Sequence, residues 1–191
     1  MTRLDPRAPL VIDTRDVGHR PGAMVEMHRT VEAPPDLGTD VIRIAAGEPI
    51  ELDLRLESVV EGVLVTGEVQ ANAVGSCVRC LESVTLSVDA RFQELFAWPN
   101  RAEHHREVGA DDDAEPYRME GDLIDLEPVL RDTVVPALPF QPVCREECQG
   151  LCSECGVVLT DHPEHQHEQI DPRWSALATL AGPTATNEKR N

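Results

Sequence analysis

Six cysteines in 191 residues fall into three close pairs, and any fold of this chain must find work for them. Cys77 and Cys80 form C-V-R-C. Cys144 and Cys148 form C-R-E-E-C, and Cys152 and Cys155 follow at once in C-S-E-C-G. Just beyond, H-P-E-H-Q-H supplies His162, His165 and His167. Residues 1–20 carry no basic-then-apolar leader and no apolar run approaches membrane-spanning length, so the chain reads as soluble and cytoplasmic. Thiols stay reduced in that compartment, where crowded cysteine and histidine favour a structural Zn²⁺ site over disulfides.

Two residues between Cys152 and Cys155 let both thiolates face one ion, and Gly156 allows the positive φ that aims backbone N–H groups at sulfur. Two groupings of ligands are open. In one, Cys144, Cys148, Cys152 and Cys155 hold a single ion and Cys77 and Cys80 are spare. In the other there are two ions. Cys77, Cys80, Cys144 and Cys148 then clip two distant segments together, while Cys152, Cys155, His165 and His167 close a terminal loop. The second is preferred because it orphans neither C-x-x-C pair. His162 reads as a solvated loop residue.

The chemistry this excludes is equally informative. A redox C-x-x-C opens a helix in a βαβ setting, which the Gly-rich flanks here do not provide. His162-Pro163-Glu164 has the H-x-E of zinc deaminases, but it follows the cysteines instead of preceding a P-C-x-x-C. No nucleophile elbow, Walker loop or dinucleotide fingerprint is present. The chain is therefore read as non-enzymatic.

The scaffold is written in a period of two. In I-E-L-D-L-R-L-E, Ile50, Leu52, Leu54 and Leu56 alternate with charged residues, which predicts a strand with one wet face. Val63–Val74 predicts a second strand with Gly67 as a bulge, and Val84, Leu86, Val88, Ala90 and Phe92 a third. Short turns between them predict an antiparallel meander with Cys77 and Cys80 at a hairpin tip. Leu10–Thr14 and Ala23–Val31 read as further strands. Leu126, Val129, Leu130, Thr133 and Val134 lie at helical spacing, with Asp125 as cap and Pro136 and Pro139 as terminators. The expected class is thus α+β and β-rich: an antiparallel sheet covered by one main helix, with a C-terminal zinc-binding module. The expected layout is a flexible stretch at 1–9 and a β-rich domain at 10–140 with an acidic loop at 99–120 and a helix near 126–135. A zinc module with a terminal helix occupies 141–181, and a disordered tail 182–191.

Charge bears on partners, unless it serves only to keep the protein soluble. Lys and Arg number 17 against 35 Asp and Glu, a formal net charge of −18. Such a chain repels phosphate backbones and attracts basic proteins. Aromatic residues are only 3%, too few for a base-stacking platform.

The combination of C-V-R-C-L (77–81), G-D-L-I-D-L (121–126), A-L-P (137–139) and C-x-x-x-C-x-G-L-C-x-x-C-G (144–156) resembles the YceD family, the large ribosomal RNA subunit accumulation proteins of bacteria and plastids. D-P-R-W-S-A-L (171–177) resembles the ending of actinobacterial members. The resemblance implies a non-enzymatic role in large-subunit biogenesis, supporting 23S rRNA processing or accumulation. The partner would be a large-subunit precursor or a basic ribosomal protein, with any rRNA contact indirect. Many members carry C-x-C after the C-x-x-C-G where this chain has His165-Gln166-His167, which implies imidazole in place of thiolate. A thiol or zinc redox sensor, whose Cys77/Cys80 clip opens on oxidation, and a zinc-ribbon nucleic-acid-binding regulator are the alternatives.

Overall fold

In the computed structural model, residues 4–99, 117 and 119–167 are described. The alternation at 50–56 becomes β5 (Pro49–Ser58), whose Ile50, Leu52, Leu54 and Leu56 are all buried. It pairs antiparallel with β6 (Gly62–Ser76), which in turn pairs along its whole length with β7 (Ser83–Ala97). The register from Val63↔Phe96 to Ser76↔Ser83 has no break.

Gly67 is therefore not a bulge. It faces Leu54 on one side and Phe92 on the other within continuous ladders. A Cβ there would meet Phe92 Cζ at 2.3 Å, so the glycine makes room for the ring.

The other edge of β6 is shared by two strands. β5 takes its first half, and β4 (Ile42–Ile44) pairs farther along through Ile42↔Gly75 and Arg43↔Val74. Outside these lie β2 (Met24–Glu32) on β5 and β3 (Leu37–Gly38) on β4. All pairings in this six-stranded sheet are antiparallel. β3 and β4 are too short to produce a readable period. A two-stranded sheet joins β1 (Val11–Asp13) to β8 (Leu123–Asp125). The latter occupies residues that the sequence presents only as a helix entry.

The single helix among the described residues is α1 (Glu127–Ala137). Asp125 accepts the Glu127 N–H at 2.9 Å but lies one residue outside the N-cap position, which Leu126 holds. Pro136 does not end the helix; it sits inside the last turn, where its missing N–H breaks no later turn. Val129, Leu130 and Val134 point into the core, and Arg131 ties the helix to the chain at the Pro35 and Asp36 carbonyls (2.8 and 3.0 Å). The helix packs on β7 and β3, and the small sheet joins it through Ile12, Ile124 and Leu126. Together they cover one face of the large sheet with an aliphatic core.

The chain divides into two compact units, 1–150 and 151–191. In the second, Leu151 bridges Val158, and turns lead to His165 and His167. The expected terminal helix at Trp174–Leu180, the tail at 182–191 and most of the acidic loop at 99–120 lie outside the described residues. No helix among the described residues is long and apolar enough to cross a membrane.

Candidate metal centres

The β6–β7 hairpin closes through a tight turn at 77–82. Leu81 N–H returns to the Cys77 carbonyl at 2.9 Å, and Cys77 N–H reaches the Glu82 carbonyl at 2.8 Å. The same pattern recurs at the other C-x-x-C. Gly156 N–H returns to the Cys152 carbonyl at 2.9 Å, and Cys152 N–H reaches the Val157 carbonyl at 2.8 Å. Both turns place the residue after the second cysteine in the left-handed region, Leu81 at φ 64° and Gly156 at φ 74°. This conformation turns backbone N–H groups toward sulfur. The structure thus contains two copies of one ligand turn, only one of which has the glycine that advertises it.

The first turn meets the segment after α1. Cys77 Sγ lies 3.8 Å from Cys148 Sγ, and Cys80 Sγ lies 3.6 Å from Cys144 Sγ. Val78 N–H donates to the Pro142 carbonyl at 2.9 Å. The Arg79 guanidinium donates to the carbonyls of Glu146 and Cys148, both at 3.0 Å, and its backbone leaves no more room at Gly150 than a glycine needs. Cys77, Cys80 and Cys148 are buried with Val84 in a small apolar cluster separate from the main core. Arg79 was not legible as part of this site, because its role depends on contacts across 67 and 69 residues.

Four sulfurs so close are not at disulfide distance, which is about 2.05 Å. The Cys77–Cys148 and Cys80–Cys144 edges are near the spacing of a tetrahedral site, since a Zn–S bond of about 2.3 Å gives a sulfur–sulfur edge of about 3.8 Å. Electrostatics point the same way. Burial pushes the Cys77 thiol up, but N–H groups of Cys144, Cys80 and Arg79 outweigh it and bring it down to about 6. At Cys80 the Glu82 N–H favours the thiolate, yet burial and the neighbouring sulfurs prevail and raise it to about 12. Burial also raises Cys144. The Cys77 thiolate is favoured while Cys80 and Cys144 resist ionising beside it, a conflict that a bound cation removes.

In the second unit, Cys155 Sγ lies 3.2 Å from both His165 Nε2 and His167 Nε2, which are 2.8 Å apart. With Cys152 they form a second four-donor group. These edges are a few tenths of an ångström tighter than a loaded site with Zn–N bonds of about 2.0–2.1 Å would show. N–H groups of Cys155 and Glu154 bring the Cys152 thiol down to about 6. Glu154 Oε2 stands 3.3 Å from His167 Nδ1. A proton on Nδ1 directed at that carboxylate leaves the Nε2 lone pair free for an ion. The sequence hides this role, since Glu154 is merely one of the two spacer residues in C-S-E-C. His162 is not in the group; its carbonyl accepts the His165 N–H at 2.9 Å.

Either group of donors could hold a metal ion, within each of which all ligand atoms lie within 4.8 Å of one another.

Fold and donors together define a β-rich α+β protein with two separate cysteine-rich clusters suited to metal. The chain belongs to the YceD family: the family described as "Large ribosomal RNA subunit accumulation protein YceD" matches residues 65–181. That description is of an accumulation protein, not of an enzyme. An uncharacterised protein of Mycobacterium tuberculosis is 47% identical over 176 residues, covering 92% of this chain and 83% of the relative. One from Mycobacterium leprae is 43% identical over the same share of this chain and 79% of its own. One from Bacillus subtilis is 26% identical over 148 residues, 75% of this chain and 79% of the relative. No solved structure matches the chain.

Proposed function

We propose that the protein is a non-enzymatic factor in biogenesis of the large ribosomal subunit, supporting 23S rRNA processing or accumulation. It acts by binding precursor particles or a basic ribosomal protein in the cytoplasm. The observation that carries this reading is the family match over 65–181, a span that contains both donor groups.

Two Zn²⁺ ions complete the fold in this reading. Cys77, Cys80, Cys144 and Cys148 hold one, and Cys152, Cys155, His165 and His167 the other. The ions supply cross-links and charge neutralisation, with all four positions taken by protein ligands and none left for substrate. The chain's own part is to position and protect these ligands. Arg79 holds the 146–148 backbone against the hairpin tip, and Glu154 orients His167.

The redox-sensor alternative is weakened by burial: Cys77 is 0% and Cys80 5% exposed, leaving oxidants little access to that pair. The net charge of −18 weighs against a nucleic-acid-binding regulator.

Sedimentation of extracts, with rRNA measurement in a deletion strain, tests the proposal. Co-migration with large-subunit precursors and reduced 23S rRNA are expected. A protein confined to the top of the gradient, with normal 23S rRNA, would overturn it.

A further inference from the structure

One face of the large sheet is covered by α1 and the small sheet, and among the described residues no helix or second sheet covers the other. Cross-strand register makes that other face easy to read. Its lower rows hold Glu26, Glu51, Asp53, Glu57 and Glu68. Two arginines there are already engaged, Arg55 with Glu57 and Arg91 with Glu68, and His28 sits between Glu51 and Asp53. Toward the hairpin tip the same face changes character. Asn72↔Ser87, Val74↔Thr85 and Ser76↔Ser83 carry no charge, and the one charge beside them is the exposed Arg43, paired with Val74 from β4.

This end carries no carboxylate in those rows and exposes apolar side chains. Val74 is 42% exposed, and Val41, 41% exposed, lies beside it through the Ser76 N–H to Val41 carbonyl bond. Val78 and Leu81 are exposed at the tip itself. Phe140, 87% exposed, stands two residues from the Pro142 carbonyl that accepts the Val78 N–H. Met24 and Val60 are exposed singly at the opposite end of the sheet, whereas Val41, Val74, Val78, Leu81 and Phe140 gather near the tip, and such a cluster marks a contact surface.

We propose that this surface docks a cationic protein, which lays an apolar contact on Val41, Val74, Val78 and Leu81 and basic side chains over the carboxylate rows. This rests on the reading given under Proposed function and names the partner's chemistry and its footprint. Charge complementarity selects the occupant. The carboxylate rows repel a phosphate backbone, and Phe140, the one exposed Phe, Tyr or Trp among the described residues, is no platform for stacked bases. A second copy of this chain would bring carboxylates against carboxylates.

The test uses the full, metal-loaded chain with a photo-crosslinking phenylalanine analogue at position 74. The probes are total protein extracted from large ribosomal subunits and, separately, protein-free large-subunit rRNA. Cross-linking to basic subunit proteins is expected, and V74D should weaken binding of the captured protein about tenfold, as loss of a central apolar contact does. L81D, in a turn position that tolerates Asp, should act in the same direction if V74D alters the fold. Cross-links to the rRNA, to a second copy or to residues 168–191 of the same chain would overturn the proposal, as would full binding by both variants. Failure of the surface and failure of the functional reading are separable. A chain that still co-sediments with precursors while position 74 captures no basic protein loses only the docking face.

Discussion

Cys77 and Cys148 are 71 residues apart in the chain, yet their sulfurs stand 3.8 Å from each other in a pocket that excludes solvent. Between them lie the whole of β7, β8 and α1, so one ion here would tie the tip of the longest hairpin to the segment that leaves the helix. Replacing Cys148 by Ser should remove one Zn²⁺ per chain and leave a buried polar group in an apolar cluster. Loss of one ligand from a closed site and an unsatisfied group together should cost at least about 2–3 kcal/mol. Urea unfolding with metal analysis of the same sample measures both. Amide exchange should speed up at 77–82 while the centre of β6 stays protected.

The second group should behave independently, because all four of its donors lie within the 151–191 unit. His167→Ala should lower zinc content by one while leaving the unfolding transition of the sheet in place. Glu154→Ala should keep the full ligand set but weaken the second ion by about 10- to 100-fold, the usual effect of losing a carboxylate that orients a ligating histidine. Glu154→Gln, which can still accept the Nδ1 proton, should fall between. Competition with a zinc chelator dye separates these outcomes; unchanged affinity in Glu154→Ala would remove its orienting role.

Leu81 and Gly156 occupy equivalent positions in the two ligand turns. A leucine at φ 64° carries a steric penalty of about 1–2 kcal/mol that glycine avoids, offset by about 0.5–1 kcal/mol of extra chain entropy. Leu81→Gly should therefore stabilise the protein by about 0.5–1 kcal/mol, given that its 66% exposed side chain gives up little packing. Gly156→Ala should have the opposite sign at the second site, seen as weaker zinc retention. Denaturant midpoints for the first and chelator competition for the second are the measurements.

His28 lies on the wet face with Nδ1 2.8 Å from Asp53 and Nε2 2.9 Å from Glu51. The hydrogen bond and charge of Asp53, with those of Glu51, raise its pKa above the usual 6.5. A raised value means the contribution to stability is fully present below about pH 6.5 and is lost as pH rises through the folded-state pKa. Imidazole NMR titration should give a midpoint above 6.5 that falls in Asp53→Asn. His28→Asn should flatten the same part of the stability–pH curve.

The sheet and the ligands were legible to different degrees for a physical reason. Burial on one face writes a period of two into any long strand, so Ile50 to Leu56 and Val84 to Phe92 announce β5 and β7 outright. β3 and β4, with two and three residues, have no period to show, and β8 exists only because β1 pairs with it. Gly67 illustrates the limit of local reading. A lone glycine in a strand signals either a bulge or a close approach, and only the partner strand, which brings Phe92, decides between them. Donor types were plain from cysteine spacing, which left two groupings open and a preference between them, because Cys77 and Cys80 meet Cys144 and Cys148 through tertiary contact alone. Leu81 concealed the likeness of the two ligand turns, since leucine gives no hint of a left-handed backbone.

The central claim is that two closed metal sites, one joining distant segments and one confined to residues 151–191, complete this fold. Native mass spectrometry of the purified full-length chain tests it most directly. The account predicts two Zn²⁺ per chain, falling to one in Cys148→Ser and to one in His167→Ala. A metal-free protein that is equally folded in the presence of chelator, or one ion lost only when Cys144, Cys148, Cys152 or Cys155 is replaced, would contradict it.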